Sequence, residues 1–153
     1  SFGRTFCKEE FESQGLETSF VQHSISTNKK GGTLRGLHFQ KPLDEIKLVT
    51  CLVGKAFDVI VDIRPESETY GKWYGLNISE QKKNAVYVPK GFAHGFQSLQ
   101  DNTLISYQIS ALYRQEFSAG ICWNDPSLNI DWPLNHKIIS ERDQILPRLV
   151  HLS

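Results

Sequence analysis

Hydrophobic and polar residues alternate with a period of two in places along this chain. In the run 46–53, Lys47, Val49, Cys51 and Val53 share one face, and Ile46, Leu48, Thr50 and Leu52 the other. In the next run, Phe57, Val59, Val61 and Ile63 oppose Asp58, Ile60 and Asp62. The pattern predicts strands over 19–26, 33–40, 46–53, 56–63, 73–78, 85–88, 94–99 and 103–110, filled by Val, Ile, Phe and Tyr. Gly54-Lys55, Gly71, Lys90-Gly91 and Asp101-Asn102 punctuate them as turns. A short helix is predicted over 8–14, with Gly15 as its stop. Beyond Trp123 the prolines Pro126, Pro133 and Pro147 predict an irregular tail with a short helix near its end. Short strands without a long helix imply an all-β architecture, an antiparallel sandwich or jelly roll.

Length and charge narrow the function classes. The 153 residues suit one domain spanning 1–153. Seventeen basic and 17 acidic residues cancel, so no long-range field draws in nucleic acid or an anionic membrane. An anionic ligand must be held by a few local cations. Cys7, Cys51 and Cys122 are widely spaced, without a CxxC pair. They indicate neither a disulfide framework nor a zinc knuckle, and they fit a reducing, cytoplasmic setting. Cys51 reads as a small core residue. There is no apolar run of membrane-spanning length and no signal peptide. The chain has no initiator methionine and starts abruptly at Ser1-Phe2, as if the N-terminal strand were truncated.

Candidate chemistry concentrates in 32–40, GTLRGLHFQ. Arg35 supplies a fixed cation suited to phosphate or carboxylate. His38 supplies a group that titrates near about pH 6.5 and can move a proton. The alternative for His38 is a half-buried strand histidine satisfied by a neighbour. Strict alternation places Arg35 and His38 on opposite faces, and a bulge at Gly36 would bring both to one pocket. Lys47 is either at a solvated edge or in a polar cavity, where its ammonium would stabilise an oxyanion. Asp58 and Asp62 read as ion-pair partners of Lys47 and Arg64, or Asp58 as the group that orients the histidine. His94 opens a strand after Pro89 and Gly91. His38 and His94 are conceivable metal ligands, but no HxH pair or close carboxylate completes a three-ligand set. Tyr107 is a core tyrosine or a general acid. No GxGxxG, Walker, GxSxG or HExxH motif is present.

Six segments occur in order: 33–40 (TLRGLHFQ), 47–49 (KLV), 54–64 (GKAFDVIVDIR), 70–73 (YGKW), 88–96 (VPKGFAHGF) and 123–132 (WNDPSLNIDW). Together they make the chain resemble the dTDP-4-dehydrorhamnose 3,5-epimerase family along essentially its whole length. The resemblance implies a cupin-type jelly roll, a homodimer, and no metal or redox cofactor. It implies a nucleoside-diphosphate 4-keto-6-deoxyhexose as substrate, epimerised at C3, C5 or both through an enolate. His38 matches the family's base, Tyr107 its acid, and Lys47 the lysine near the C4 oxygen. Asp143 matches the aspartate paired with the histidine, with Asp58 as a competitor for that role. Arg35 would hold the diphosphate, His94 would line the pocket, and Gln22, Gln40 and Tyr113 would lie near the nucleotide or the sugar. The family's usual Asp-x-Arg-Gly segment is absent here, and Arg4 stands where an acidic residue is common. The competing readings are a non-catalytic sugar-nucleotide-binding domain and a metal-dependent cupin using His38 and His94.

Overall fold

The computed structural model describes residues 2–42 and 44–152; Ser1, where the chain starts abruptly, lies outside them. Helix α1 (Lys8–Ser13) carries Glu9 and Glu10 in its first turn, where acidic side chains favour the helix dipole. It ends as the Gly15 N–H turns back to the carbonyl of Glu12. Strands follow at β1 (Gln22–Asn28), β2 (Thr33–Gln40), β3 (Lys47–Val53), β4 (Lys55–Asp62), β5 (Trp73–Ser79), β6 (Ala85–Val88), β7 (Phe92–Ser98), β8 (Thr103–Ile109), β9 (Ser118–Gly120) and β10 (Ile138–Ile139). Helix α2 (Glu141–Gln144) and a final 3-10 turn close the chain. Among the described residues, no helix is long and apolar enough to cross a membrane.

The strands form two sheets. One has four strands in the order β1-β8-β3-β6. The other has six, β10-β2-β7-β4-β5, with β9 also paired to β2. Neighbours are antiparallel except β10, which runs parallel to β2. Val49, Cys51, Val86, Val88 and Ile105 of the first sheet pack against Ala56, Ile78 and Phe96 of the second. This core fills part of the space between the sheets. A second core lies on the outer face of the six-stranded sheet, where Leu34, Leu37, Val59, Val61 and Ala93 meet Leu128, Trp132 and Leu149 of the tail. Gln97 pins that tail through its amide, which donates to the carbonyl and accepts from the N–H of Leu134, both at 3.0 Å. The six-stranded sheet is therefore covered on both faces, so β4 buries Asp58 as fully as Val59.

Three strand expectations need correction. Strand β7 starts at Phe92, which pairs with Asp62 of β4, so His94 lies inside it rather than opening it. Strand β1 starts at Gln22 rather than at residue 19, because the Glu17 carboxylate accepts the N–H groups of Thr18 and Ser19 and curls the chain there. Val53 leaves the face it was expected to share with Lys47, Val49 and Cys51. Cys51 pairs with Ile105 and Val53 with Leu104, two steps against one, so a bulge turns Val53 outward to 45% exposure. Cys51 is in the core as expected.

Asp62 ends β4 and does pair with Arg64. It accepts Nε at 2.9 Å and Nη2 at 2.7 Å, and the hydroxyls of Ser67 and Thr69 each at 2.6 Å. The guanidinium bonds outweigh burial and, with the hydroxyls, hold the carboxyl well below the usual range. A depressed folded value stabilises the protein above about pH 4, and that contribution is lost as pH falls towards the folded value. Asp62→Asn is expected to lower stability at pH 7 by about 2 kcal/mol, with the gap to wild type closing in acid. Thermal denaturation at pH 7 and pH 3 checks this; an equal gap at both would refute the charge as cause.

Candidate active site

Arg35 and His38 face the same cavity because β2 bulges between them. Arg35 pairs with Phe96 and His38 with His94, three steps on β2 against two on β7. The extra residue reverses the alternation, so both side chains point between the sheets. Gly36 sits in the bulge at φ 124°, which favours glycine, and an added Cβ would lie 2.6 Å from the Gly95 Cα. Freed from the ladder, the Gly36 N–H donates to Asp143 Oδ2 at 3.0 Å. Asp143 Oδ1 lies 2.7 Å from His38 Nε2.

The tail delivers Asp143 to that point. Strand β10 pairs Ile138 with Thr33 and Ile139 with Leu34, so the tail runs alongside β2. Ser140 then caps α2 by accepting the Asp143 N–H at 3.1 Å. Burial acts to raise the Asp143 carboxyl, but the His38 bond and charge and the Gly36 N–H prevail and hold it lowered. Asp143 is therefore the partner of His38. Asp58 is the partner of His94, whose Nε2 lies 2.8 Å from Asp58 Oδ2. The expected Asp58–Lys47 pair does not form; Lys47 pairs instead with Glu45, at 2.6 Å.

The four-stranded sheet supplies the opposite wall. Lys47 pairs with Ile109 and Val49 with Tyr107, so these four residues share the inner face. Gln22 and Ser24 extend it through their pairing with Ile109 and Tyr107. An inner cavity of about 230 Å³ is lined by Arg35, His38, Lys47, His94 and Tyr107 among others. An outer cavity shares His38 and Lys47 with it and adds Gln22, Gln40, Tyr113 and Arg142. His38, Lys47, Tyr107, Arg35, His94, Gln22, Gln40 and Tyr113 each line one or both; Asp143 stands behind His38 and Asp58 behind His94. Burial, with the Asp58 charge beyond it and Arg35 opposing, raises the Tyr107 phenol well above its ordinary value. It is neutral, with its proton in place, at any physiological pH.

The two glutamines have their amides engaged by the protein. Gln22 accepts the Tyr113 N–H at 2.9 Å, and Gln40 accepts the Arg114 N–H at 2.8 Å. They hold the loop that presents Tyr113, which is half exposed at the mouth. Arg35 donates Nε to Asn28 Oδ1 at 2.9 Å, which orients the guanidinium towards the inner cavity. His38 and His94 are neighbours across β2 and β7, yet each presents Nε2 to its own carboxylate. Among the described residues, no group of three or more His, Cys, Asp or Glu side chains is placed to hold a metal ion. Glu45 and Arg142 went unnoticed in the sequence. The signal for Glu45 was its position two residues before Lys47, on the same side of an extended segment.

A family model described as dTDP-4-dehydrorhamnose 3,5-epimerase matches residues 1–151. The protein of that name from Methanothermobacter thermautotrophicus is 44% identical over 146 residues, covering 94% of this chain and 78% of that protein. The one from Escherichia coli K12 is 44% identical over 148 residues, covering 95% and 80%. Among solved structures, the dTDP-6-deoxy-D-glucose-3,5-epimerase of Legionella pneumophila in complex with dTDP-4-keto-L-rhamnose matches with a TM-score of 0.94 at 38% identity, over 99% of this chain and 81% of that one. Sharing their jelly roll and matched along nearly all its length, this chain belongs to the dTDP-4-dehydrorhamnose 3,5-epimerase family.

Proposed function

We propose that this epimerase takes a dTDP-linked 4-keto-6-deoxyhexose and inverts C3, C5 or both by proton transfer through an enolate, in deoxysugar biosynthesis. The C4 ketone acidifies the hydrogens on C3 and C5. His38 removes one through the ring nitrogen not engaged by Asp143. The electron pair moves onto the C4 oxygen, where the Lys47 ammonium stabilises the negative charge. Tyr107 returns a proton to the opposite face and is reprotonated by solvent. Arg35 holds the diphosphate, His94 lines the sugar pocket, and Gln22, Gln40 and Tyr113 shape the nucleotide end. The chemistry uses only these side chains.

The observation that carries this reading is the placement of His38 and Tyr107 on facing sheets of one cavity, with Lys47 beside Tyr107. Inversion needs a base and an acid on opposite sides of a ring, and a binding domain has no use for that pairing. Free thiols at Cys7, Cys51 and Cys122 support a cytoplasmic setting. A homodimer is supported by β1, an edge strand that exposes Ile25, with Val21 exposed just before it, and that a second copy would cover.

Proton NMR of dTDP-4-keto-6-deoxyglucose in deuterium oxide tests the reading. The wild-type protein is expected to remove the C3 signal, the C5 signal or both and to form the inverted sugar. Tyr107→Phe is expected to keep exchange through His38 while losing inversion, because the proton then returns only to the face it left. A folded, ligand-binding wild type that exchanges neither position would refute the proposal. Wild-type inversion by Tyr107→Phe would remove the acid assignment.

A further inference from the structure

Glu45 lies just before β3 with its side chain only 9% exposed. Its Oε1 is 2.6 Å from the Lys47 Nζ, itself on a side chain 11% exposed. Its Oε2 accepts the Gln40 Nε2 at 2.8 Å. That same amide nitrogen reaches the Leu112 carbonyl at 3.3 Å, and Gln40 Oε1 takes the Arg114 N–H. One buried carboxylate thus joins the ammonium at the cavity wall to the loop that carries Tyr113. A lysine ammonium is a point charge on a flexible four-carbon stem. Oxyanion stabilisation depends on donors that are already in place when charge develops. The Glu45 carboxylate cannot swing away, because Gln40 holds its second oxygen.

We propose that Glu45 is a positioning residue that fixes the Lys47 ammonium where the C4 oxygen of the keto sugar becomes negative. This rests on the epimerase reading of Lys47. Glu45 acts on the chemical step through Lys47: it keeps the ammonium at the wall of the cavity and keeps that buried charge paired while the site is empty. Substrate binding changes little without it, because Arg35 does not touch Glu45 and Gln40 keeps its bonds to the Leu112 carbonyl and the Arg114 N–H.

The test is a double-mutant cycle read as deuterium wash-in at C3 and C5 of dTDP-4-keto-6-deoxyglucose, with thermal denaturation confirming that each variant is folded. Glu45→Ala is expected to lower kcat about tenfold with KM nearly unchanged. Glu45→Gln recovers at most part of that loss, because its single amide oxygen can accept from Lys47 Nζ or from Gln40 Nε2 but not both, and its NH2 then faces the other donor. In a Lys47→Ala background, Glu45→Ala causes no further loss. An equal loss in both backgrounds, or an unchanged kcat in Glu45→Ala, overturns the proposal. A wild-type protein that exchanges nothing, or a Lys47→Ala that exchanges at the wild-type rate, instead overturns the reading of Lys47 beneath it.

Discussion

His38→Ala is expected to slow deuterium wash-in at C3 and C5 by about 10³-fold while KM changes little. The size follows from what is removed. His38 faces both cavities, and the carboxylate behind it, Asp143, is also held by the Gly36 N–H. Without it, the carbon acid has only water as base. KM is expected to be insensitive because Arg35, the proposed diphosphate anchor, keeps its bond to Asn28. The side chain is 38% exposed where the inner and outer cavities meet, so truncation leaves a space open to small solutes. Added imidazole should therefore restore part of the rate, and restore it more in His38→Ala than in Lys47→Ala, where no base is missing. Steady-state wash-in rates with and without imidazole make the comparison. His94 does not substitute: its Nε2 is held by Asp58, and it is 4% exposed. Exchange by His38→Ala at the wild-type rate would move the base to another residue.

The strands were legible because each buries at least one face, and burial writes itself as alternation. Strands β2 and β6 fall where the pattern predicts, and β3, β4, β5 and β8 begin or end within a residue of it. Strands β9 and β10, three and two residues long, are too short to alternate. They exist because β2 offers them an edge, which is a tertiary fact. The site was legible where its chemistry lies in one segment. Arg35, Gly36 and His38 implied a bulge, since both polar side chains gain by reaching one pocket, and the register shift is there. The partners of the histidines were not legible from spacing. Asp143 is 105 residues from His38, and only the family resemblance pointed to it. Asp58 lies on the strand after that of Lys47 in sequence order, yet β4 and β3 belong to different sheets, and it pairs with His94 on the neighbouring β7. Which strands and tail segments become neighbours follows from topology, which local patterns do not record.

Gly36→Ala is expected to cost about 3 kcal/mol or more of stability and, in the protein that still folds, to lower kcat by about 10²-fold. Two separate penalties act on the fold. An L side chain at φ 124° is strained in any surroundings, and its Cβ would lie 2.6 Å from the Gly95 Cα and 2.9 Å from the His94 carbonyl oxygen. Both contacts are backbone, so no rotamer relieves them; β2 or β7 must move. That movement carries His38 on one strand and His94 on the other, and it withdraws the Gly36 N–H from Asp143. Activity should therefore fall further than the loss of folded protein explains. Gly71→Ala is the comparison. Gly71 also has positive φ, but it lies in a turn where the nearest atom to an added Cβ is the Leu149 Cδ2 at 3.3 Å, a side chain that can give way. It should lose about 1 kcal/mol of stability and keep its kcat. Thermal denaturation and wash-in rates on both variants separate the two effects. If Gly36→Ala lost stability but kept kcat per folded molecule, the bulge would serve the fold alone, and the geometry of His38 and Asp143 would not depend on it.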